Sequence, residues 1–284
     1  MCKSIKYILD SYSKSNTSIN KKDIEFCLCY IIGKPKTFLI SNPEFRITNN
    51  EIEKLQESID YLKDGLPLAY IVGNQEFYGY TYFVNNDVLI PRPETEIIIP
   101  KIIEYGDAIF EKNKKLTLID AGAGSGCIGL TIASERPRWK IILIEKSLKS
   151  INLLKKNRDH YLHKNCMVLA ADWLKGLNQK IADIVVSNPP YIDFDSEKVD
   201  QSVYNFEPHH ALFSQEKGLN DIKTIVSQSK LILVNNGLLF LENGFDQSDS
   251  VAKILKKNYY EDIDIILDYN GIKRFTVSRC SHYG

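Results

Sequence analysis

With 284 residues, the chain is long enough for one large domain and a smaller one. Its 36 Lys and Arg balance 36 Asp and Glu, so bulk charge favours neither nucleic acid, nor an anionic membrane, nor a polyanionic substrate. No apolar run reaches the length of a membrane span, and Met1 is followed by polar residues, which predicts a soluble protein with no membrane association. The six cysteines (Cys2, Cys27, Cys29, Cys127, Cys166, Cys280) are scattered without a C-x-x-C pair, as expected of reduced thiols in the cytoplasm. His160 with His163, and His209 with His210, lack Cys or carboxylate neighbours at zinc-site spacing, so no metal is expected.

From residue 3 to about 64 apolar positions recur at three- and four-residue spacing: Ile5, Ile8 and Leu9, then Ile24, Cys27, Leu28 and Ile31, then Ile52, Leu55, Ile59 and Leu62. This predicts a small helical bundle, placed at residues 1–70, with Gly33-Lys34-Pro35 and Gly65-Leu66-Pro67 as breaks. The aromatic stretch "FYGYTYFVNNDVLI" changes the texture to β, and Asn85-Asn86-Asp87 is the predicted turn of a hairpin linker spanning residues 71–93. Residues 94–284 form the predicted second domain. It opens with a helix from Glu94 to about Phe110, after which strands at 116–121, 140–145, 166–170, 182–187, 237–242, 263–267 and 274–278 alternate with helices. That alternation predicts an α/β doubly wound sheet of seven strands.

Two stretches carry chemistry. In "LTLIDAGAGSGCIG", Asp120 ends a strand and Gly122, Gly124 and Gly126 open a helix. Gly124, Gly126 and Gly129 also satisfy G-x-G-x-x-G, so a nicotinamide dinucleotide has to be weighed. Glu145, ending the next strand, can accept hydrogen bonds from ribose hydroxyls of either ligand. Asp120 separates them: a carboxylate before the loop repels a pyrophosphate but attracts the sulfonium and amino group of S-adenosylmethionine. Asp172 and Trp173 follow the third strand, where they can offer a polar contact and an aromatic face to adenine; Trp173 has ordinary core packing as its other reading. In "IADIVVSNPPYID", a buried-looking strand runs into Asn188-Pro189-Pro190-Tyr191. The two prolines remove backbone donors and stiffen a turn that offers mainly acceptors, at the strand end where α/β sheets bind ligands. A simple strand-ending Asn-Pro turn is the plainer alternative.

With "DAGAGSG" and "SNPPY" at the first and fourth strands, the second half resembles class I S-adenosylmethionine-dependent methyltransferases, whose fold is Rossmann-like. Residues 66–96, "LPLAYIVGNQEFYGYTYFVNNDVLIPRPETE", resemble the hallmark linker of the release factor glutamine methyltransferase family, and "AADWL", "FEPHHALFS" and "GLNDIK" extend the likeness over nearly the whole chain. The resemblance implies methyl transfer from S-adenosylmethionine to the side-chain amide of the glutamine in the Gly-Gly-Gln motif of peptide-chain release factors, with no direct nucleic-acid partner. On that reading the Asn188 side-chain oxygen and the Pro189 carbonyl each take one N–H of the substrate amide, Pro190 keeps the turn stiff and Tyr191 covers the amide plane. Arg92 and Glu94 of "IPRPET" then close the site from the linker side, or form an inter-domain ion pair. Glu145 stands where the family usually has Asp, Asn243 where it commonly has His and Ser248 where it commonly has Gly. An adenine amino-methyltransferase acting on DNA or RNA, a ribosomal-protein glutamine methyltransferase and a nucleotide-sensing module without turnover are the competing readings.

Overall fold

The computed structural model describes residues 3–15, 19–177, 179–196 and 199–281. The chain divides into two compact units, Met1–Asn74 with Asp200–Phe206, and Gln75–Val199 with Glu207–Gly284. The first unit holds α1 (Ile5–Ser15), α2 (Lys21–Ile32), α3 (Lys36–Ser41), α4 (Asn49–Lys63) and α5 (Leu68–Val72). Local chemistry fixes their ends. Asn20 caps α2 by accepting from the Lys22 N–H, Gly33 ends it at φ 64°, and Thr48 with Glu51 forms a reciprocal capping box on α4. The predicted apolar stripes meet in one core of Ile5, Ile8, Ile24, Cys27, Leu28, Leu55 and Ile59, with Leu9, Ile31, Ile52 and Leu62 packed around it.

The hairpin is present, but its turn lies earlier than expected. Strands β1 (Asn74–Phe77) and β2 (Tyr80–Phe83) pair across Tyr78-Gly79, whose φ values of 51° and 76° suit the tight turn of a right-twisted hairpin. Asn85-Asn86-Asp87 does turn, with the Asn85 side-chain oxygen accepting the Asp87 N–H, but the chain beyond it runs on as an extended linker and not as a partner strand. A 3-10 turn at Pro93–Ile97 then leads into α6 (Ile98–Asn113).

The remainder alternates β3 (Thr117–Ala121), α7 (Cys127–Glu135), β4 (Lys140–Glu145), α8 (Leu148–His160), β5 (Cys166–Ala170), β6 (Ala182–Ser187), α9 (Asn220–Ile232), β7 (Leu233–Glu242), α10 (Ser248–Lys257), β8 (Tyr260–Leu267) and β9 (Lys273–Cys280). The strands form one seven-stranded sheet in the order β5-β4-β3-β6-β7-β9-β8, in which only β9 runs antiparallel to its neighbours. Strand β7 starts four residues before the expected 237, because the polar run Asn235-Asn236-Gly237 is absorbed in an irregularity between Leu233 and Leu238. Alternate residues of the central strands serve opposite faces. Leu118, Leu143, Ile184 and Val186 pack with Ile98 and Ile102 of α6 and Ile128 and Leu130 of α7. Ile119, Ile142, Val185 and Leu239 pack with Ile222 and Val226 of α9 and Val251 and Leu255 of α10. At about 1.5–3 kcal/mol for each side chain so buried, these two layers hold the sheet rigid. The chain passes in one direction from β3 to β5 and in the other from β6 to β7, which makes the carboxyl ends of β3 and β6 the crevice where such sheets take ligands. Of the cysteines, Cys27, Cys29, Cys127, Cys166 and Cys280 are free thiols, and Cys2 lies outside the described residues. No helix among the described residues is long and apolar enough to cross a membrane.

Candidate active site

A cavity of about 520 Å³ opens at that crevice, within the second unit, in the size range of small-molecule cofactor sites. Its wall includes Asp120, Gly122, Gly124, Glu145, Asp172, Trp173, Asn188, Pro190 and Arg92, so nine of the residues singled out from sequence come together from segments far apart in the chain. Gly126, Pro189, Tyr191 and Glu94 do not line it.

Asp120 is 1 % exposed, and one carboxylate oxygen accepts the Gly129 N–H at 2.9 Å. Burial pushes its carboxyl up to about 7, with the Gly129 hydrogen bond opposing and the charge of Glu145 adding to the rise. A buried carboxylate with one amide partner at a cavity wall has unspent affinity for a cation. Glu145, at the end of β4, has three backbone donors: Lys146 N–H at 2.8 Å and Ser147 N–H at 2.9 Å on one oxygen, and Gly124 N–H at 3.0 Å on the other. Carboxylate oxygens offer about four lone-pair sites, so one remains for a ligand hydroxyl, in an orientation the backbone has already fixed.

Gly122 has no alternative residue. Its φ is 75°, and a Cβ there would lie 2.6 Å from the Trp173 ring. Trp173 itself takes φ 53°, and its indole N–H donates to Asp221 at 3.0 Å, so the ring packs on the core and still presents a face to the cavity. Asp172 pairs with Lys146 at 3.1 Å on the surface. Gly126, at φ 85°, has a supporting place: a Cβ there would meet Leu154 at 2.4 Å.

Asn188 stands at the end of β6, followed by two buried prolines. Its side-chain N–H group lies 3.4 Å from the Thr95 hydroxyl. Tyr191 is turned away from the cavity. Its ring packs against the sheet, its hydroxyl donates to Glu242 at 3.2 Å, and its carbonyl accepts from Gln247 at 2.8 Å with Gly218 closing over it. Tyr191 thus has its hydroxyl and its carbonyl engaged behind the turn and does not line the cavity. Arg92 pairs with Glu207, whose side chain is 1 % exposed, at 2.6 Å, and Glu207 also accepts the Ile90 N–H; both partners belong to the same unit, so the pair is not an inter-domain one. Glu94 takes no part in the cavity wall and acts on Glu242 only through its charge, raising that group's pKa.

Several residues in and around the site escaped the sequence reading. Thr95 was inside the quoted linker motif, and Glu242 ends a strand, the same position that drew attention to Asp120 and Glu145. Asn157 of α8 gave no such signal. It is fully buried and bridges the Phe83 backbone to the Ser125 carbonyl, tying the hairpin to the glycine loop. Asn243 and Ser248, singled out in the sequence, touch each other: Asn243 donates to the Ser248 hydroxyl at 2.9 Å and accepts from Thr276 at 3.0 Å.

The profile of the family described as Methyltransferase small domain matches residues 108–257, and that of the PrmC N-terminal domain matches residues 10–73. Release factor glutamine methyltransferase of Francisella tularensis subsp. tularensis is 34 % identical, covering 92 % of this chain and 91 % of its own. That of Coxiella burnetii is 33 % identical over 97 % and 99 %. The chain belongs to the release factor glutamine methyltransferase family. Among solved structures, a methyltransferase from Pyrococcus furiosus, 12 % identical, superposes with a TM-score of 0.51 over 82 % of this chain and all of that one, which shows the shared fold. As a member of the release factor glutamine methyltransferase family, this enzyme uses S-adenosylmethionine as methyl donor. The residues present fit that molecule: the cavity wall offers a buried acid, a second acid oriented by backbone donors, and an indole ring.

Proposed function

We propose that this enzyme methylates the side-chain amide nitrogen of the glutamine in the Gly-Gly-Gln motif of peptide-chain release factors, in the cytoplasm. The observation that carries the reading is that Asn188 and Pro190 share one cavity wall with Asp120, Glu145 and Trp173. The names of the relatives support the substrate class, and zero net charge argues against a polyanionic one.

S-adenosylmethionine, when bound, supplies an electrophilic methyl on a sulfonium. The residues do the rest. An amide nitrogen is a poor nucleophile because its lone pair is delocalised into the carbonyl. The Asn188 side-chain oxygen and the carbonyl of Pro189, which stands between the wall residues Asn188 and Pro190, each accept one amide N–H, which holds the nitrogen in line for attack and leaves its remaining lobe free. The same acceptors stabilise positive charge growing on that nitrogen as the carbon–nitrogen bond forms and the methyl–sulfur bond breaks, and the cation then passes its proton to water without a dedicated base. Asp172, Trp173 and Glu145 orient the donor, Asp120 faces its cationic end, and the Arg92–Glu207 pair fixes the linker wall. Asn188→Ala is expected to lower turnover about 100-fold or more with cofactor affinity unchanged, as for loss of one preorganised polar contact. Near-normal turnover in that variant, measured with labelled cofactor and a purified release factor, overturns the reading.

A further inference from the structure

An asparagine amide works as an acceptor only if its oxygen, not its NH₂, faces the substrate. The two ends have the same shape, so something nearby must choose between them. Thr95, 1 % exposed in the Pro93–Ile97 turn, donates its hydroxyl proton to a Glu242 carboxylate oxygen at 2.8 Å. The Asn188 side-chain nitrogen lies 3.4 Å from the same hydroxyl oxygen. A hydroxyl carries one proton. With Glu242 ionised, and so acceptor-only, that proton is committed, and Thr95 can do nothing toward Asn188 but accept. Only the NH₂ end can then face Thr95, which turns the oxygen to the cavity that Asn188 lines.

We propose that Thr95 and Glu242 form a relay that sets the polarity of Asn188, making both of them positioning residues for methyl transfer. This rests on the acceptor role given to Asn188 above. The relay is reversible. A protonated Glu242 can donate to Thr95, which frees the threonine proton for the Asn188 oxygen and turns the NH₂ group toward the substrate, where it opposes an amide N–H. Glu242 is 1 % exposed, and burial pushes its carboxyl up to about 7. The groups facing it are Thr95 and Glu94 from the turn before α6, Tyr191 after β6, Cys127 at the start of α7, and Arg274 of β9, which also pairs with Asp268 at 3.2 Å. Thr95, Tyr191 and Arg274 favour the ionised form and Glu94 opposes it.

The test uses the full chain, purified release factor and labelled S-adenosylmethionine, with cofactor affinity measured separately. Thr95→Val, which keeps the shape and removes the hydroxyl, is expected to lower kcat about 10- to 100-fold with cofactor affinity changed less than about twofold, and Thr95→Ser to restore kcat to within about threefold. Because the relay acts only through Asn188, adding Thr95→Val to Asn188→Ala should cost less than about twofold more. Wild-type kcat should fall on the acid side with a midpoint near the pH of about 7 set by Glu242, and Glu242→Gln should lose that limb. Wild-type kcat in Thr95→Val beside a slow Asn188→Ala overturns the relay and leaves the acceptor cradle standing; full kcat in Asn188→Ala overturns both. An equal loss from Thr95→Val in both backgrounds makes Thr95 merely structural and overturns the relay. If Thr95→Val does not fold, the acid limb of kcat at saturating cofactor, where Asp120 is held ionised, decides: its survival in Glu242→Gln overturns the proposal.

Discussion

Asp120 is the residue whose chemistry is set most plainly by its surroundings. Burial raises its pKa to about 7, so near neutrality it is divided between acid and carboxylate. A cation bound beside it favours the ionised form, and cofactor binding must therefore release a proton. Calorimetry should show affinity for S-adenosylmethionine rising with pH through about 7, and Asp120→Asn should weaken binding and remove that pH dependence. An unchanged dependence in the variant would mean that Asp120 does not face the cation. The ligand-free protein should behave in the opposite sense. A folded pKa above the unfolded one gives stability that is complete below the unfolded value and lost as pH rises through about 7, so the melting temperature should fall across that range, and less so in Asp120→Asn. Asp120 and Glu145 were picked out in the sequence because one ends the strand before the glycine loop and the other ends the next strand. Glu242 also ends a strand, but its partners Thr95 and Tyr191 come from distant segments that no local pattern connects to it.

The elements were legible where burial was complete. Runs such as Ile184-Val185-Val186 have room for nothing but a strand covered on both faces, and β6 lies where the run predicts it. The hairpin turn was misread because Asn85-Asn86-Asp87 carries the stronger turn composition, whereas Tyr78-Gly79 relies on a tyrosine accepting positive φ. The Asn243–Ser248 contact joins the end of β7 to the start of α10, so the two positions at which the family resemblance leads one to expect His and Gly share one contact here. Asn243 is fully buried, so the larger imidazole of Asn243→His needs the space that the Ser248 side chain occupies. Asn243→His alone should destabilise the protein by about 1–3 kcal/mol through overpacking, and Ser248→Gly added to it should recover most of that loss. Urea unfolding of the two single variants and the double variant checks this; additive losses would show that the positions are not coupled.

At the scale of the whole molecule, nothing in the cavity wall distinguishes one glutamine from another, so selection has to come from contacts made by the rest of the substrate. The first unit has a core of its own, separate from the two layers on the sheet, and with the hairpin it is the surface this chain has in addition to the catalytic sheet. Free glutamine is expected to go unmethylated, and short Gly-Gly-Gln peptides to be poor acceptors beside an intact release factor; equal rates on peptide and protein would assign selection to the cavity alone. If the proposed motif is the substrate, its flanking glycines are expected to matter because a backbone without side chains is slim and flexible. The most direct measurement is to incubate the enzyme and labelled S-adenosylmethionine with a purified release factor and a duplex oligonucleotide in competition, and to locate the label by mass spectrometry. The account predicts a single methyl group on the side-chain amide nitrogen of the Gly-Gly-Gln glutamine, absent when Asn188→Ala replaces the enzyme. A label on the oligonucleotide, or on any other residue of the release factor, contradicts it.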